Sequence, residues 1–402
     1  MSRPLEGIKV LDFTHGVAGP YCSMVLADLG CDVIKIEKPG RGDPTRYMNV
    51  SERFHTDIPR VGGDYFLAIN RNKRSLGIDM KTASGRRACR ELARWADVAI
   101  QNFRPGVMAR LGLDYPALKE INPRLLYANI SAYGDGPLRE KPGMDVAVQA
   151  RSGVMRLTGA ADSNVPLRPG ASLADFGGGI YLATGVLAAL FERERSGAGQ
   201  EISVSLLDAT MSMLINYSVA VVAGGAELKP MGSGHPQLVP YQAFPTRDSD
   251  VVVSAGTNKI YRELCAALGR PELGEDPRFL TNQDRVRNRE LLVEASSAVT
   301  RGRTTAEWIA VFEAADVPCA PVNDIATAYR EVSRDSPEMR LDVDHPAIGK
   351  LPLLGSPFRY SRSSGPASDA PPMLGEDTEE VLRDVLGWSQ AEIEAAAAEK
   401  AE

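Results

Sequence analysis

The feature that most constrains the fold is a strand–helix–strand pattern that repeats through the first third of the chain. Short runs rich in Val, Ile and Leu predict buried strands at GIKVLDF (7–13), CDVIKIE (31–37), RSLGIDM (74–80), DVAIQNF (97–103) and RLLYANISAYG (124–134). Helices are predicted between them, from Pro20 to Leu29 and over 82–96. Strands that alternate with helices pair in parallel. The pattern therefore predicts an α/β fold with a doubly wound, mostly parallel sheet up to about Ser131.

The second half of the chain follows another pattern. Residues 201–223 predict a strand and a long apolar helix, and GGAELKPMGSGHP (224–236) predicts a loop because it breaks every periodicity. A hairpin is predicted over 241–256, followed by helices at about 257–268, 287–300 and 304–315, which together form an α+β module. A Pro-, Ser- and Gly-rich stretch then returns the chain elsewhere. We expect one large domain built from residues 1–223 and 331–402, and a smaller domain over 224–330.

Charge and cysteine content exclude several functional classes. With 46 Lys and Arg against 52 Asp and Glu, the formal net charge of -6 argues against nucleic acid or an anionic membrane as partner. The five cysteines lie far apart, which is typical of a reduced intracellular protein, and the four scattered histidines give no zinc motif. No secretory leader is evident, and the longest apolar run, Tyr181 to Phe191, is too short to cross a bilayer. We expect a cytoplasmic protein without a metal.

Three groups of cations lie near predicted strands, and we place each at or near a strand's carboxyl end. Such ends converge on the ligand crevice of an open α/β sheet. Solvated surface charge explains any one group, but three together indicate a phosphorylated ligand. The three cation groups are Lys38, Arg41 and Arg46; Arg71, Lys73 and Arg74; and Arg104 and Arg110.

The first turn, THGVAGP (14–20), lacks G-x-G-x-x-G and is better explained as a tight turn, so an NAD-dependent oxidoreductase is disfavoured.

Asp175 in ASLADFGGGIYLATG (171–185) is a single carboxylate at the mouth of an apolar segment. It could simply cap a helix, where Asp is favoured. The three glycines that follow cost on the order of 1 kcal/mol each in a helix, and they suggest that a ligand or another backbone approaches closely. We expect the helix start to keep Asp175 ionised, as a carboxylate nucleophile requires. GASLA (170–174) lacks the last glycine of a serine-hydrolase elbow, so serine hydrolysis is disfavoured.

Several blocks in matching order resemble the class III CoA-transferases, the group that contains formyl-CoA transferase, carnitine CoA-transferase and the α-methylacyl-CoA racemases. The resemblance implies an interlocked homodimer of ring-like subunits. Each subunit would have a Rossmann-like large domain built from both chain ends and a smaller domain between them. The blocks are LEGIKVLDFTHGVAGPYCSMVLADLGCDVIKIEKPGRGDPTR, LAINRNKRSLGIDMKT, QNFRPGVMARLGLDY, NPRLLYANISAYGDGPLREKPGMDVAVQARSGVM and LADFGGGIYLATGVLAALFERERSGAGQ, with weaker GSGHPQLVPYQAF and GSPFRYS.

The resemblance also assigns residue roles. Asp175 matches the aspartate that becomes acylated, with Asp145 and Gln149 beside the reacting centre. Gly232, Gly234 and His235 match a substrate loop. His235 could hydrogen-bond a polar acceptor acid there, and a role in stabilising the loop is at least as well supported. CoA is expected as substrate, together with a carboxylic acid, and no further cofactor. The predicted CoA-binding residues are His15, Val17, Lys38, Asn72, Lys73, Arg74, Asn102, Phe103, Arg104 and Arg110.

Two departures from the family pattern bear on the reaction. Met144 stands where the racemases carry a histidine, and a racemase needs a base on each face of the α-carbon, so transfer is favoured. Val17 and the 232–236 loop differ from the matching positions of formyl-CoA transferase, so the identities of the donor and acceptor acids stay open. We expect Asp175 to form an aspartyl-CoA thioester, with amides of its helix start stabilising the oxyanion. An acyl-CoA racemase and a silent CoA-binding protein remain alternatives.

Overall fold

A computed structural model describes residues 2–52, 60–161 and 163–399. Its largest sheet has six parallel strands in the order β3-β2-β1-β4-β5-β6, which confirms the predicted parallel α/β sheet. The chain moves outward from β1 to β3 and then resumes at β4 on the other side of β1. The strands are β1 (Lys9–Asp12), β2 (Asp32–Glu37), β3 (Lys73–Gly77), β4 (Val98–Gln101), β5 (Leu126–Ser131) and β6 (Glu201–Ser205).

Eighteen α-helices lie within the described residues. In chain order they are α1 (Ala18–Asp28), α2 (Asp64–Ile69), α3 (Ala83–Trp95), α4 (Val107–Leu111), α5 (Tyr115–Lys119), α6 (Asp145–Ser152), α7 (Val154–Leu157), α8 (Leu173–Ser196), α9 (Leu206–Met213), α10 (Ile215–Ser218), α11 (Asn258–Ala267), α12 (Glu272–Glu275), α13 (Asn282–Arg287), α14 (Arg289–Thr300), α15 (Thr305–Ala314), α16 (Ile325–Asp335), α17 (Thr378–Glu380) and α18 (Gln390–Ala398).

The chain divides into two compact units. The first comprises Met1–Gly153, Pro169–Gly225 and Ser333–Glu402, and the second comprises Val154–Arg168 and Ala226–Val332. Val154–Arg168 therefore lies outside the large domain, although the predicted boundary of 1–223 includes it. Within the second unit this stretch is tied to the 232–236 loop, because the Gly232 N–H donates to the Gly159 carbonyl at 2.8 Å.

Hydrophobic clusters cover both faces of the six-stranded sheet. Side chains alternate along each strand, so Leu11 of β1 packs with α3 on one face. Val10 packs with α1 and α8 on the other. Burial on both faces explains why the strands read as continuous apolar runs rather than as alternating patterns.

The predicted long helix of residues 206–223 is broken. It is α9, α10 and a π-helical segment Val219–Ala223, and the two parts meet at a bend of 68°. α8 is the single described helix long and apolar enough by composition to cross a bilayer, and the bent segment passes the same test as a pair. Half of α8's most apolar window is buried inside the protein. The prediction that the apolar segment is too short to cross a bilayer was wrong, because it considered only Tyr181–Phe191. The helix that contains this run spans 24 residues.

The second unit is built on a three-stranded antiparallel sheet. The predicted hairpin is confirmed as β7 (Tyr241–Pro245) and β8 (Asp250–Ser254), joined by β9 (Cys319–Pro321). The predicted helices correspond to α11, α14 and α15, and their apolar faces pack with the sheet around Trp308 and Phe312. A hairpin of β10 (Arg340–His345) and β11 (Gly349–Leu354) belongs to the first unit.

Candidate active site

The first turn of α8 is capped by a carboxylate from another helix. Ser172 precedes α8 but gives no side-chain cap. Instead Asp145 Oδ1, at the start of α6, accepts the N–H groups of Ala174 at 3.0 Å and Asp175 at 3.4 Å. Gln149, one turn along α6, donates Nε2 to Asp145 Oδ2 at 2.7 Å, and its own Oε1 is buried without a partner among the described residues. Two backbone N–H groups and one side-chain amide thus donate to the Asp145 side chain.

Asp175 lies next to that carboxylate and has no donor of its own. Burial raises the pKa of Asp175 to about 7, and the charge of Asp145 adds to the shift. Within the described residues nothing donates a hydrogen bond to its side chain. The expectation that the helix start keeps Asp175 ionised is therefore wrong. The first-turn N–H groups are already used, by Asp145 and by the carbonyls of residues 171 and 172.

The three glycines after Asp175 serve packing between helices. A Cβ at Gly177 would lie 2.3 Å from the Met213 methyl group, and one at Gly178 would lie 2.5 Å from Leu206, both in α9. A Cβ at Gly179 would lie 2.7 Å from the Ala18 carbonyl oxygen in α1, and that backbone cannot yield as a side chain can. Gly179 thus lets the backbone of α1 come close, Gly177 and Gly178 make room for side chains of α9, and the space at these positions is filled by protein.

Side chains from three other elements fix the loop at residues 14–16, directly after β1. Lys35 Nζ donates to the carbonyl of residue 14 at 2.6 Å. The Asn102 side chain accepts the N–H of residue 15 at 3.0 Å and donates to its carbonyl at 2.6 Å. Asp43 Oδ1 accepts the N–H of residue 16 at 3.1 Å. The loop is therefore held in one conformation, at the point where the sheet order reverses and where ligands of open α/β sheets bind.

A buried group of charges lies beneath this loop. We call it the charge cage: Asp12, Lys35, Glu37, Asp43, Arg46 and Lys73. Its three carboxylates and three cations pair within the group, Lys35 with Asp43 at 2.9 Å, Arg46 with Glu37 at 2.7 Å and Lys73 with Asp12 at 3.3 Å. Burial alone would raise the pKa of Asp12, but Lys35, Lys73 and the hydroxyls of Ser23 and Thr14 hold it well below its usual range. The cage carries equal numbers of positive and negative groups, and Arg46 also donates to the carbonyls of Arg60, Val61 and Pro372 outside it.

The carboxyl ends of the strands bring together part of the predicted CoA-binding set. Lys38 follows β2, and Asn102, Phe103 and Arg104 follow β4. The His15 and Phe103 rings meet edge to face at 5.1 Å. Val17 is the N-cap of α1, and Arg110 is exposed in the last turn of α4.

Lys81 is a further cation at the same edge, outside the predicted set. It is exposed and lies just after β3, beyond Asp79, whose carboxylate pairs with Lys38 at 3.0 Å. Its position directly after the strand RSLGIDM was the available signal.

Asn72, Lys73 and Arg74 lie at the amino end of β3, which begins at Lys73. The prediction that the cations Arg71, Lys73 and Arg74 lie at a strand's carboxyl end is therefore wrong. Lys73 is buried and bonded to Asp12, Asn70 and the Pro20 carbonyl.

The other members of this group also have protein partners. Asn72 bonds Asp28 and backbone near the chain end, and Arg74 pairs with Asp32 and Glu380. Arg46 and Arg71 are likewise taken up by buried ion pairs, with Glu37 and Asp28.

A cavity of about 550 Å³ lies beside β4 and β5. Phe103, Arg104 and Tyr115 line it, and its floor includes polar side chains of β5 and β6 such as Asn129 and Ser203. The volume and the mixed apolar and polar lining are typical of a small-molecule site.

Gly232, Gly234 and His235 lie in the second unit. The His235 N–H donates to the Tyr241 carbonyl at 3.1 Å, its Nδ1 accepts the Gln237 N–H at 3.1 Å, and Arg289 binds its carbonyl at 2.7 Å. Gly232 has φ of +60°, a conformation that favours glycine. These contacts support the loop-stabilising interpretation of His235.

Within residues 2–52, 60–161 and 163–399, no group of three or more His, Cys, Asp and Glu side chains could hold a metal ion. The five cysteines are free; four are buried and Cys319 is half-buried.

Comparison with known proteins gives one consistent family. Residues 5–378 match the family described as CoA-transferase family III. The chain is 36% identical over 393 residues to succinyl-CoA:glutarate CoA-transferase of Mus musculus, covering 98% of this chain and 88% of that protein. It is 40% identical over 328 residues to acetyl-CoA:oxalate CoA-transferase of Acetobacter aceti, covering 81% and 82%. A crystal structure of a CAIB/BAIF family protein from Brucella suis superposes with a TM-score of 0.84 at 33% identity, covering 96% of this chain and 100% of that one.

Proposed function

Because the chain belongs to CoA-transferase family III and is thus an enzyme that transfers CoA, we propose that Asp175 carries the CoA as a covalent intermediate. The observation that carries the proposal is a largely buried carboxyl that, among the described residues, has no cation or donor and lies beside a second carboxylate at the carboxyl end of the sheet. Like-charge repulsion and poor solvation raise the free energy of the free Asp175 carboxylate. Its neutral acyl forms escape this cost.

The reaction follows from carboxylate and thiolate chemistry alone. An Asp175 oxygen attacks the thioester carbonyl of the acyl-CoA, and the CoA thiolate leaves, which yields a mixed anhydride. The thiolate attacks the aspartyl carbonyl, releases the donor acid and leaves an aspartyl-CoA thioester. The acceptor carboxylate then reverses the sequence and departs as its CoA thioester. Each step exchanges one activated carboxyl for another, so the scheme needs no ATP.

The amides of α8 cannot stabilise the oxyanion, since Asp145 and nearby carbonyls occupy them. We assign that role instead to the start of α1, which has no side-chain cap. Gly179 packs against the Ala18 carbonyl, and the rings of Tyr21 and Phe176 meet at 4.9 Å, so the start of α1 lies beside the first turns of α8. Its first N–H groups, those of Val17, Ala18 and Gly19, favour negative charge.

The carboxyl edge of the sheet supports binding of the CoA nucleotide. Lys38, Lys81, Arg104 and Arg110 would bind its phosphates, and the cavity beside Phe103 would accept its apolar and base groups. Burial and the nearby Lys35 lower the pKa of His15, so this ring is neutral and offers a stacking surface rather than a charge.

The assembly is proposed to be a Rossmann-like, interlocked homodimer in the cytoplasm, as the family resemblance implies. Exposed apolar side chains on α8 and the bent segment support a second subunit there: Phe191, Ile215, Val219 and Val222. A molar mass near that of one chain in light scattering would contradict the dimer.

The racemase alternative predicts proton exchange at the α-carbon without a change of carrier. Met144, where a second base would be needed, is exposed and cannot take a proton. Incorporation of deuterium from heavy water without acceptor acid would favour the racemase, and its absence during CoA transfer would exclude it.

Covalent capture tests the proposal. The enzyme is incubated with succinyl-CoA or acetyl-CoA and glutarate or oxalate, then treated with hydroxylamine and analysed by peptide mass spectrometry. We expect an aspartyl hydroxamate at Asp175, absent in Asp175→Asn, which should lose transfer a thousandfold or more. Asp344→Asn, an exposed acid of β10 away from the cavity beside β4 and β5, is the control. Full transfer by Asp175→Asn would overturn the proposal.

A further inference from the structure

We propose that the buried Lys35–Asp43 ion pair is a positioning device that sets the start of α1 in its reacting geometry before CoA binds. The inference rests on the proposed function, because it concerns the N–H groups assigned there to the oxyanion. Lys35 and Asp43 would not touch the substrate. They would act through residues 14–16, which connect β1 to α1.

The first step is the geometry of the pair. Both side chains are fully buried, and they lie 2.9 Å apart. Each also grips the loop: Lys35 Nζ binds the carbonyl of residue 14 at 2.6 Å, and Asp43 Oδ1 binds the N–H of residue 16 at 3.1 Å. The two charges therefore hold the loop at two points, with Asn102 holding residue 15 between them.

The second step is the position of the loop in the chain. Gly16 has φ of +78°, and Val17, the N-cap of α1, follows it directly. A rotation at residues 14–16 would redirect the first N–H groups of α1, since no side chain caps that helix. Fixing these residues therefore fixes the direction in which α1 presents its amides.

The third step is energetic. Burying two charges removes their hydration, so an ion pair in the interior contributes little stability compared with packed apolar residues. Such a pair is well suited to specifying one conformation, because its partners must lie at fixed distances. Donors preset toward a developing charge need no rearrangement during reaction, which is how an oxyanion site lowers a barrier.

The test separates positioning from stability with a double-mutant design. Lys35→Met leaves the Asp43 charge unpaired and should lower both the Tm and the rate of Asp175 adduct formation from saturating succinyl-CoA or acetyl-CoA. Lys35→Met combined with Asp43→Asn removes both charges and should recover most of the Tm. The adduct should still form at least tenfold more slowly, because the grip on residue 14 is gone.

The control is a largely buried pair away from the loop, Arg193–Asp97, at 2.9 Å. Arg193→Met and its double variant with Asp97→Asn should change the Tm but keep the adduct rate within twofold. Amide hydrogen exchange of the peptide covering residues 14–21 should rise in the Lys35 double variant and stay unchanged in the control.

Two results would overturn the inference: recovery of rate together with Tm in the Lys35 double variant, or an equal loss of rate in the control pair. Unchanged hydrogen exchange of residues 14–21 in the Lys35 double variant would do so as well. Failure of the proposed function looks different, since the unmodified enzyme would then form no adduct at Asp175 with any acyl-CoA.

Discussion

Asp12 and Asp175 are both aspartates of the first unit, and both are largely removed from water. Their pKa values are nevertheless shifted in opposite directions. Asp12 accepts hydrogen bonds from Thr14 and Ser23 and pairs with Lys73, and these partners with Lys35 hold its pKa well below the usual range despite burial. Asp175 has Asp145 as its neighbour, and burial raises its pKa to about 7. Burial is common to both, and the surrounding charges set the sign of the shift.

The comparison shows how one fold separates rigidity from reactivity. A charge with every partner in place gains nothing from reacting, so the charge cage around Asp12 can hold a loop still. A buried carboxylate without partners is stabilised when it becomes neutral, either by binding a proton or by forming an acyl derivative. In the proposed reaction, the cage would therefore hold the loop while Asp175 reacts.

Removal of the Asp12 charge should have the largest effect on stability. In Asp12→Asn, the buried Lys73 and Lys35 lose their partner charge, which we expect to lower the free energy of unfolding by about 3 kcal/mol. Urea denaturation measures it. Asp32→Asn, which removes the half-exposed partner of Arg74, should cost less than about 1 kcal/mol. A smaller loss in Asp12→Asn than in Asp32→Asn would break the comparison.

Removal of the Asp175 charge should instead raise the free energy of unfolding. Its pKa is higher in the folded protein than in the unfolded chain, so the folded state binds more protons, and the wild type loses stability as the pH rises from about 4 to 7. Asp175→Asn should therefore be more stable than the wild type by about 2 kcal/mol at pH 8. The gain should vanish below pH 4. Equal stability of the two proteins at pH 8 would show that Asp175 is not strained.

Asp145 tests the contribution of the neighbouring charge. In the wild type, adduct formation at Asp175 should rise with pH to a midpoint near 7, since the carboxylate is the nucleophile. Asp145→Asn removes the like charge, and we expect the midpoint to fall by about one pH unit. Gln149→Leu keeps the Asp145 charge and should leave the midpoint in place. A midpoint unmoved by Asp145→Asn would assign the whole shift to burial.

Lys81, an exposed cation, extends the comparison to a solvated charge, and its removal should have the smallest effect of the four substitutions. Lys81→Gln should raise the KM for acyl-CoA about threefold at low salt and less at high salt, because solvent screens an exposed charge. Arg74→Gln, at the amino end of β3, should leave the KM unchanged. Steady-state kinetics at two salt concentrations distinguish them, and a larger effect from Arg74 would contradict the assigned edge.

Local pattern predicted the elements of the fold, and it failed where contacts between distant segments decide. The parallel strands, α3 and the β7–β8 hairpin follow from apolar runs and periodicity, which depend on neighbouring residues. The break after Met213 was missed, because the apolar pattern continues through it. The packing role of Gly179 was also missed, because its partner is the backbone of α1, more than 150 residues earlier.

The sequence by itself determined that the sheet is parallel α/β and that Asp175 stands at a helix start. Apolar periodicity and helical spacing carry that information. Only the tertiary structure decided which charges are paired. It placed Lys73 and Arg46 in the charge cage and set Asp145 against Asp175, because burial and distance, which fix the energy of a charge, depend on segments far apart in the chain.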